Sequence, residues 1–275
     1  MCIEDYKLNM NIPRYIMKGG HYEVKIENIY DPSKFWVILK FKELAIFMKY
    51  LRCFYDNVEN RKIVPKSDLK KNFIYIVRRR DMYYRSTVMP LLLPDRNQVK
   101  VFMIDFGFIV NICTEDIFYI SEKHQVVPRF AIRASLAYIS PTDHSKIWSQ
   151  LDLKIFCKIL QNKRIFAEVC EIDTEQNILF CEIYINPEVT NKSIGDILVN
   201  LKMAKYNERY TSHNTELTKY KSKVKYPHLF PSFEKLENGS VPSSLWERNL
   251  LKDSVLFDVL YKDYYQYQDI NCVDK

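Results

Sequence analysis

The chain has 275 residues, 47% hydrophobic and 27% charged, an ordinary globular composition with room for one large domain or two small ones. Its 5 glycines are too few for phosphate-cradling loops or a low-complexity linker. A net charge of +7 and a pI of about 8.8 admit nucleic acid or an acidic protein as partner, yet fall short of the ~9 that marks a dedicated nucleic-acid domain.

Residues 1–20 are mixed and polar and are expected to be loose up to Gly19-Gly20. His21 to Tyr30 then alternates with period two, which predicts a half-buried strand. Asp31-Pro32-Ser33 is a turn, and Phe35–Leu39 is a second strand, so residues 21–40 read as a hairpin. From Phe41 the period changes. Leu44, Phe47, Met48, Leu51, Phe54 and Tyr55 form one helical stripe. A polar loop with Pro65 follows, then strands at about 72–78, 83–90 and 98–106 and a short one at 109–112. Thr114–Ile120 reads as a capped helical turn. So many short β segments in this window predict a small barrel.

Past Pro128, Ala131–Ile139 is strand-like and Leu151–Leu160 is a helix. Residues 165–172 and 177–185 form a hairpin. Ser193 caps a helix whose buried stripe is Ile194, Ile197, Leu198 and Leu201. Beyond Tyr206 the character shifts to basic and aromatic, with Lys219, Lys221 and Lys223 interleaved with Tyr220 ahead of Tyr226. A helix is expected again at Leu245–Tyr264, in a tail (207–275) that is partly extended or wraps the body.

Catalytic chemistry finds little support. The five histidines are scattered, and no two of the 7 cysteines lie at C-x-x-C spacing, so neither a triad nor a zinc site is expected. Asp105-Phe106-Gly107 spells a kinase metal-binding triplet, but no Gly-rich loop or His-Arg-Asp segment accompanies it. No basic and apolar leader and no long apolar run is present, which predicts neither a signal peptide nor a membrane span.

An ordered set of motifs remains: Tyr83-Tyr84-Arg85-Ser86, Ile104-Asp105-Phe106-Gly107, then Pro128, Ala131, Leu136, Ile139-Ser140-Pro141, Trp148 and Ser193-Ile194. In order and spacing this set resembles the extended Tudor domain of piRNA-pathway and germ-granule scaffolds, over about residues 21–206. The resemblance implies a mainly β fold with helices (α+β). A Tudor β-barrel (about 66–120) would be inserted into a staphylococcal-nuclease-like oligonucleotide/oligosaccharide-binding (OB) fold, built from 21–40 plus 128–206, with the long helix linking the two. It further implies a protein-binding scaffold in the cytoplasm or in perinuclear RNA granules. The implied partner is the arginine-rich tail of an Argonaute/PIWI-type protein or another Tudor scaffold. No cofactor, metal, membrane or small molecule is implied.

In that family an aromatic cage holds methylated arginine by cation–π attraction. Matched by position, the first ring is replaced by Arg78 or Arg79, the second is Tyr84, the third is Met103 and the fourth is Phe106. The polar asparagine after the glycine is Phe108. The expectation is therefore a degraded cage. An apolar patch of Tyr84, Met103, Phe106 and Phe108 would grip a protein with weak or no methylarginine dependence, and Arg78 at its mouth would repel cations. The competing reading of these rings is ordinary core or rim packing. Arg85 and Asp105 are expected to form a structural ion pair. A second function, RNA-binding adaptor, would use Arg79, Arg80, Lys219, Lys221 and Lys223 as a basic track. A metal-dependent nuclease would need an acidic cluster with an attendant arginine, which the sequence does not display.

Overall fold

The structure, a computed structural model, describes residues 12–89, 97–142, 148–186, 192–207 and 232–238. Lys219, Lys221, Lys223 and the helix expected at 245–264 lie outside the described residues. Among those described, no helix is long and apolar enough to cross a membrane.

Strands β1 (His21–Asp31) and β2 (Lys34–Ile38) form the expected hairpin. Its turn is fixed by Asp31, whose Oδ1 accepts from the Ser33 amide at 2.7 Å. Helix α1 (Phe41–Asp56) follows and buries Leu44, Phe47, Met48, Leu51 and Tyr55. Next come β3 (Ile74–Arg79), β4 (Met82–Val88), β5 (Gln98–Met103), β6 (Ile109–Cys113) and β7 (Ile117–Tyr119). They pair antiparallel in the order β6-β5-β4-β3-β7. After the short helix α2 (Glu122–Gln125) the chain returns to the first half with β8 (Ala131–Leu136) and β9 (Ile139–Pro141). Then come α3 (Gln150–Leu160), β10 (Ile165–Asp173), β11 (Ile178–Ile185), α4 (Ile194–Asn200), β12 (Ala204–Tyr206) and α5 (Phe233–Glu237).

β1, β2, β8, β11 and β10 close into a barrel, with one parallel pair, β8 and β11. That is OB-type topology, and the other sheet enters it between β2 and β8. The fold is thus mainly β with helices.

Three cores result, and strand alternation allots residues among them. Phe35 and Val37 of β2 point into the closed barrel, whereas Trp36 and Ile38 point out into a central core. On the inserted sheet, Val99, Val101 and Met103 of β5 fill that sheet's own core, whereas Phe102 and Ile104 face the central core. α1 lies in the central core, so it joins the two halves. All of β2 is buried because it is a wall with apolar cores on both sides.

Several expectations need correction. Only Thr114–Asp116 makes a turn of helix; Ile117–Tyr119 is a strand, because Ile117 opposite Val77 is a fully buried position of the inserted sheet. The strand expected over 131–139 breaks at Tyr138, whose φ of +62° is left-handed. The strand expected to run to 106 ends at Met103 in a hairpin turn. Leu201 is 53% exposed, beyond the end of α4 rather than on its buried stripe. Residues 12–20 are not loose: Ile16 is buried against the closed barrel, and Gly19 N–H donates to Val169 O at 2.7 Å. Ser193 does cap α4, in a reciprocal capping box with Asp196.

Candidate functional site

Three of the predicted site residues, Tyr84, Phe106 and Phe108, gather at one hairpin turn, between β5 and β6. Met103 O accepts from Phe106 N at 3.2 Å and Gly107 N at 2.8 Å, and Met103 N donates to Phe108 O at 2.9 Å. The turn lifts Phe106 and Phe108 to the rim of the inserted sheet. Tyr84 arrives from β4. Its ring stands nearly edge-on to Phe106 at 5.5 Å, and Phe106 meets Phe108 at 5.8 Å with the planes tilted 51°. All three rings are half-buried and pack on the edge of the inserted sheet's core.

Two expected members do not join this face as supposed. Met103 has no exposed surface, because alternation along β5 sends it inward beside Val99 and Val101; it belongs to the core on which the rings rest. Arg78 is not a free cation at the mouth. Its Nη2 lies 2.7 Å from Asp116 Oδ1 and its Nε 2.9 Å from the same oxygen, which offsets its charge. Arg79 and Arg80 sit at the β3–β4 turn, where Arg80 takes a left-handed φ of +48°.

Arg85 and Asp105 anchor the turn from beneath. Arg85 Nε donates to Asp105 Oδ2 at 2.9 Å, and Nη2 donates to Oδ1 at 2.6 Å. Nη2 also reaches Pro128 O at 3.0 Å; Nη1 reaches His124 O at 3.0 Å and also Val127 O. All five guanidinium donors are used. Asp105 Oδ1 accepts in addition from Phe130 N at 3.1 Å, and the guanidinium lies 4.8 Å from the Phe47 ring centre on α1. Both side chains are essentially inaccessible. One buried pair therefore ties β4, the ring-bearing turn, the connection to β8 and α1 together.

His124 sits beside this pair, among Phe47, Phe54 and Tyr55, with Nδ1 2.6 Å from Ser121 Oγ. Burial, then the charges of Lys123 and Arg85, push its pKa down to about 4, so it is neutral at physiological pH. The unfolded chain takes up this proton first as pH falls. The neutral histidine's contribution is thus full above about 6.5 and is lost as pH falls toward 4. Urea denaturation should show stability dropping by ~3 kcal/mol over that window, and His124→Asn should flatten that part of the profile.

The sequence reading missed two side chains that border the turn. Asn28 of β1 donates Nδ2 to Gly107 O at 2.5 Å. Trp36 of β2 lies so close to Gly107 that a Cβ there would stand 2.3 Å from Trp36 Cγ. The fully apolar run around Trp36 signals a two-sided wall, but nothing local says that the turn leans on it. Elsewhere, Glu168, Cys170 and Glu182 offer ligand atoms within 4.8 Å of one another. Burial and then Glu182 push the Cys170 thiol up to about 12, so it is a protonated core group and not a ready thiolate ligand.

A five-stranded sheet inserted into an OB-type barrel, with a ring-bearing turn at their junction, defines the extended Tudor architecture. The comparisons agree. The Tudor domain family model matches residues 16–138. The extended Tudor domain of human TDRD1, solved with a symmetrically dimethylated peptide, superposes with a TM-score of 0.63 at 20% identity, covering 75% of this chain and 100% of that one. The extended Tudor domain of Drosophila melanogaster Papi superposes at 0.59 and 18%, covering 68% and 100%. Human Tudor domain-containing protein 6 is 26% identical over 199 residues, covering 71% of this chain and 9% of its own length. Human RING finger protein 17 is 26% identical over 191 residues, covering 68% and 12%. The chain spans about a tenth of the length of these curated relatives. This chain has the fold of an extended Tudor domain, and its residues 16–138 match the Tudor domain family model.

Proposed function

We propose that the chain is a non-catalytic interaction module whose Tyr84–Phe106–Phe108 face takes an arginine-bearing segment of a partner protein and does so without needing methylation. The observation that carries this reading is the three-ring face on the turn, with Met103 turned away from it into the sheet. Guanidinium still finds aromatic faces, worth ~0.5–2 kcal/mol each. The Met103 position adds no wall because it is inside the sheet, and Phe108 stands where the polar anchor would be. With fewer walls, added methyl groups lose less water and gain less contact. A mutant Papi extended Tudor domain has been solved with a Piwi N-terminal peptide in both unmethylated and symmetrically dimethylated forms, which supports an arginine-peptide partner of either kind. A Piwi-type tail in piRNA-pathway assemblies of cytoplasmic RNA granules fits this reading.

The test is an NMR titration of the full chain with an arginine-glycine peptide. Resonances of Tyr84, Phe106 and Phe108 should move, and Tyr84→Ala or Phe106→Ala should weaken binding about tenfold or more. Binding that both variants leave intact overturns the assignment of this face.

A further inference from the structure

Helix α5 comes from a stretch that looks like a tail in sequence, yet it is buried. Phe233, Leu236 and Glu237 are 3%, 2% and 8% exposed. Ser232 Oγ accepts from Lys235 N at 3.3 Å and starts the turn. Glu237 then enters a slot built for a carboxylate. Its Oε1 accepts from Trp36 Nε1 at 3.0 Å and Arg133 Nε at 3.0 Å, and its Oε2 accepts from Arg133 Nη2 at 2.7 Å. Arg129 Nη1 stands 3.5 Å from Oε1. Both arginines are buried, and Arg133 also donates to Gln176 O at 2.7 Å. Phe233 meets Trp36 edge-on at 5.2 Å.

Trp36 is the hinge of this arrangement. One part of its indole holds Glu237 and Phe233. Another packs on Phe102 of β5 at 6.1 Å. Its Cβ and Cγ press on Gly107, between Phe106 and Phe108. A single side chain thus touches α5, the inserted sheet and the ring-bearing turn.

We propose that Ser232–Asn238 is a built-in ligand of the Arg129–Arg133–Trp36 slot, and that its seating holds Trp36 against Gly107 and so positions the Phe106–Phe108 turn. The effect on a bound peptide rests on the function proposed above; the link from α5 to Gly107 does not. Removing the carboxylate leaves two neighbouring buried guanidiniums without their shared anion, so the slot cannot keep its geometry when empty. Burial raises the pKa of Glu237, but Arg129 and Arg133 and the donors on Oε1 and Oε2 outweigh it and hold the carboxylate below its usual range. The group is therefore charged when docked. Coupling requires a side chain that both sites engage, and Trp36 is one.

The experiment compares the full chain with Glu237→Gln and with the milder Phe233→Leu, each checked for folding by circular dichroism. The readouts are the Trp36 indole N–H and the Gly107 and Phe108 amide resonances, then the affinity for the arginine-glycine peptide. Both variants should shift all three resonances and weaken peptide binding about threefold to tenfold. A synthetic peptide with the sequence of residues 232–238, added in excess to Phe233→Leu, should move the resonances back toward wild type. If the indole shifts while Gly107 and Phe108 stay in place, the coupling is refuted. If Glu237→Gln unfolds, Phe233→Leu alone decides by the same resonances. A wild-type chain that binds no peptide would refute the function proposed above, while the Gly107 resonance would still decide the coupling.

Discussion

Asp105→Ala should destabilise the fold by ~3–5 kcal/mol, measured as a lower urea midpoint at unchanged slope. The size follows from what stays behind. Arg85 is buried and, among the described residues, makes its two carboxylate bonds with Asp105. Removing the anion strands a desolvated cation in the central core, and its remaining carbonyl partners offset only part of that. Phe130 N also loses its acceptor. Asp105→Asn should recover little, because its amide donors would face the guanidinium's own. Arg78→Ala is the contrast. The Arg78–Asp116 pair is 41% and 29% exposed, so breaking it should cost within ~1 kcal/mol. Equal losses at the two pairs would mean that burial does not set the cost.

Gly107→Ala should cost ~2–4 kcal/mol and displace the ring-bearing turn. Two penalties add. The residue has φ +84°, a left-handed conformation that costs alanine about 1 kcal/mol. The new Cβ would also fall 2.3 Å from Trp36 Cγ and 2.6 Å from its Cβ. Those atoms are the root of the side chain, not a free end that can swing away. The indole is held by Phe102, Phe233 and Glu237, so the turn must move instead. Overpacking of this kind costs ~1–3 kcal/mol. Thermal unfolding would read the stability, and the Phe106 and Phe108 resonances would read the displacement. A variant as stable as wild type, with those resonances unmoved, would show that the contact with Trp36 is loose.

What the sequence disclosed and what it hid divide along one line. Periodicity is local, so the β1–β2 hairpin, the α1 stripe and the Ser193 cap could be read directly. Arg85 and Asp105 are legible as a pair because a charge inside a strand needs a partner. Which core a side chain enters is not local. A match to a cage position points Met103 to the surface, but the alternation of β5 with Val99 and Val101 sends it inward. Arg78 met Asp116, and Glu237 met Arg129 and Arg133, across separations that no pattern marks. Ile117 looked like part of a helical turn until the edge of β3 claimed it as a strand. Within the tail, the buried helix Phe233–Glu237 is hard to read from sequence because it offers only Phe233 and Leu236 as apolar anchors.

The proposed binding role of the ring face, with weak dependence on methylation, is tested most directly by one ratio of dissociation constants. The full chain would be titrated calorimetrically with two arginine-glycine peptides of identical sequence, one unmodified and one symmetrically dimethylated at a single arginine. Measurable binding of both, with constants within about fivefold (about 1 kcal/mol), is the expected result. Binding of the dimethylated peptide alone, or a preference of a hundredfold, would contradict it.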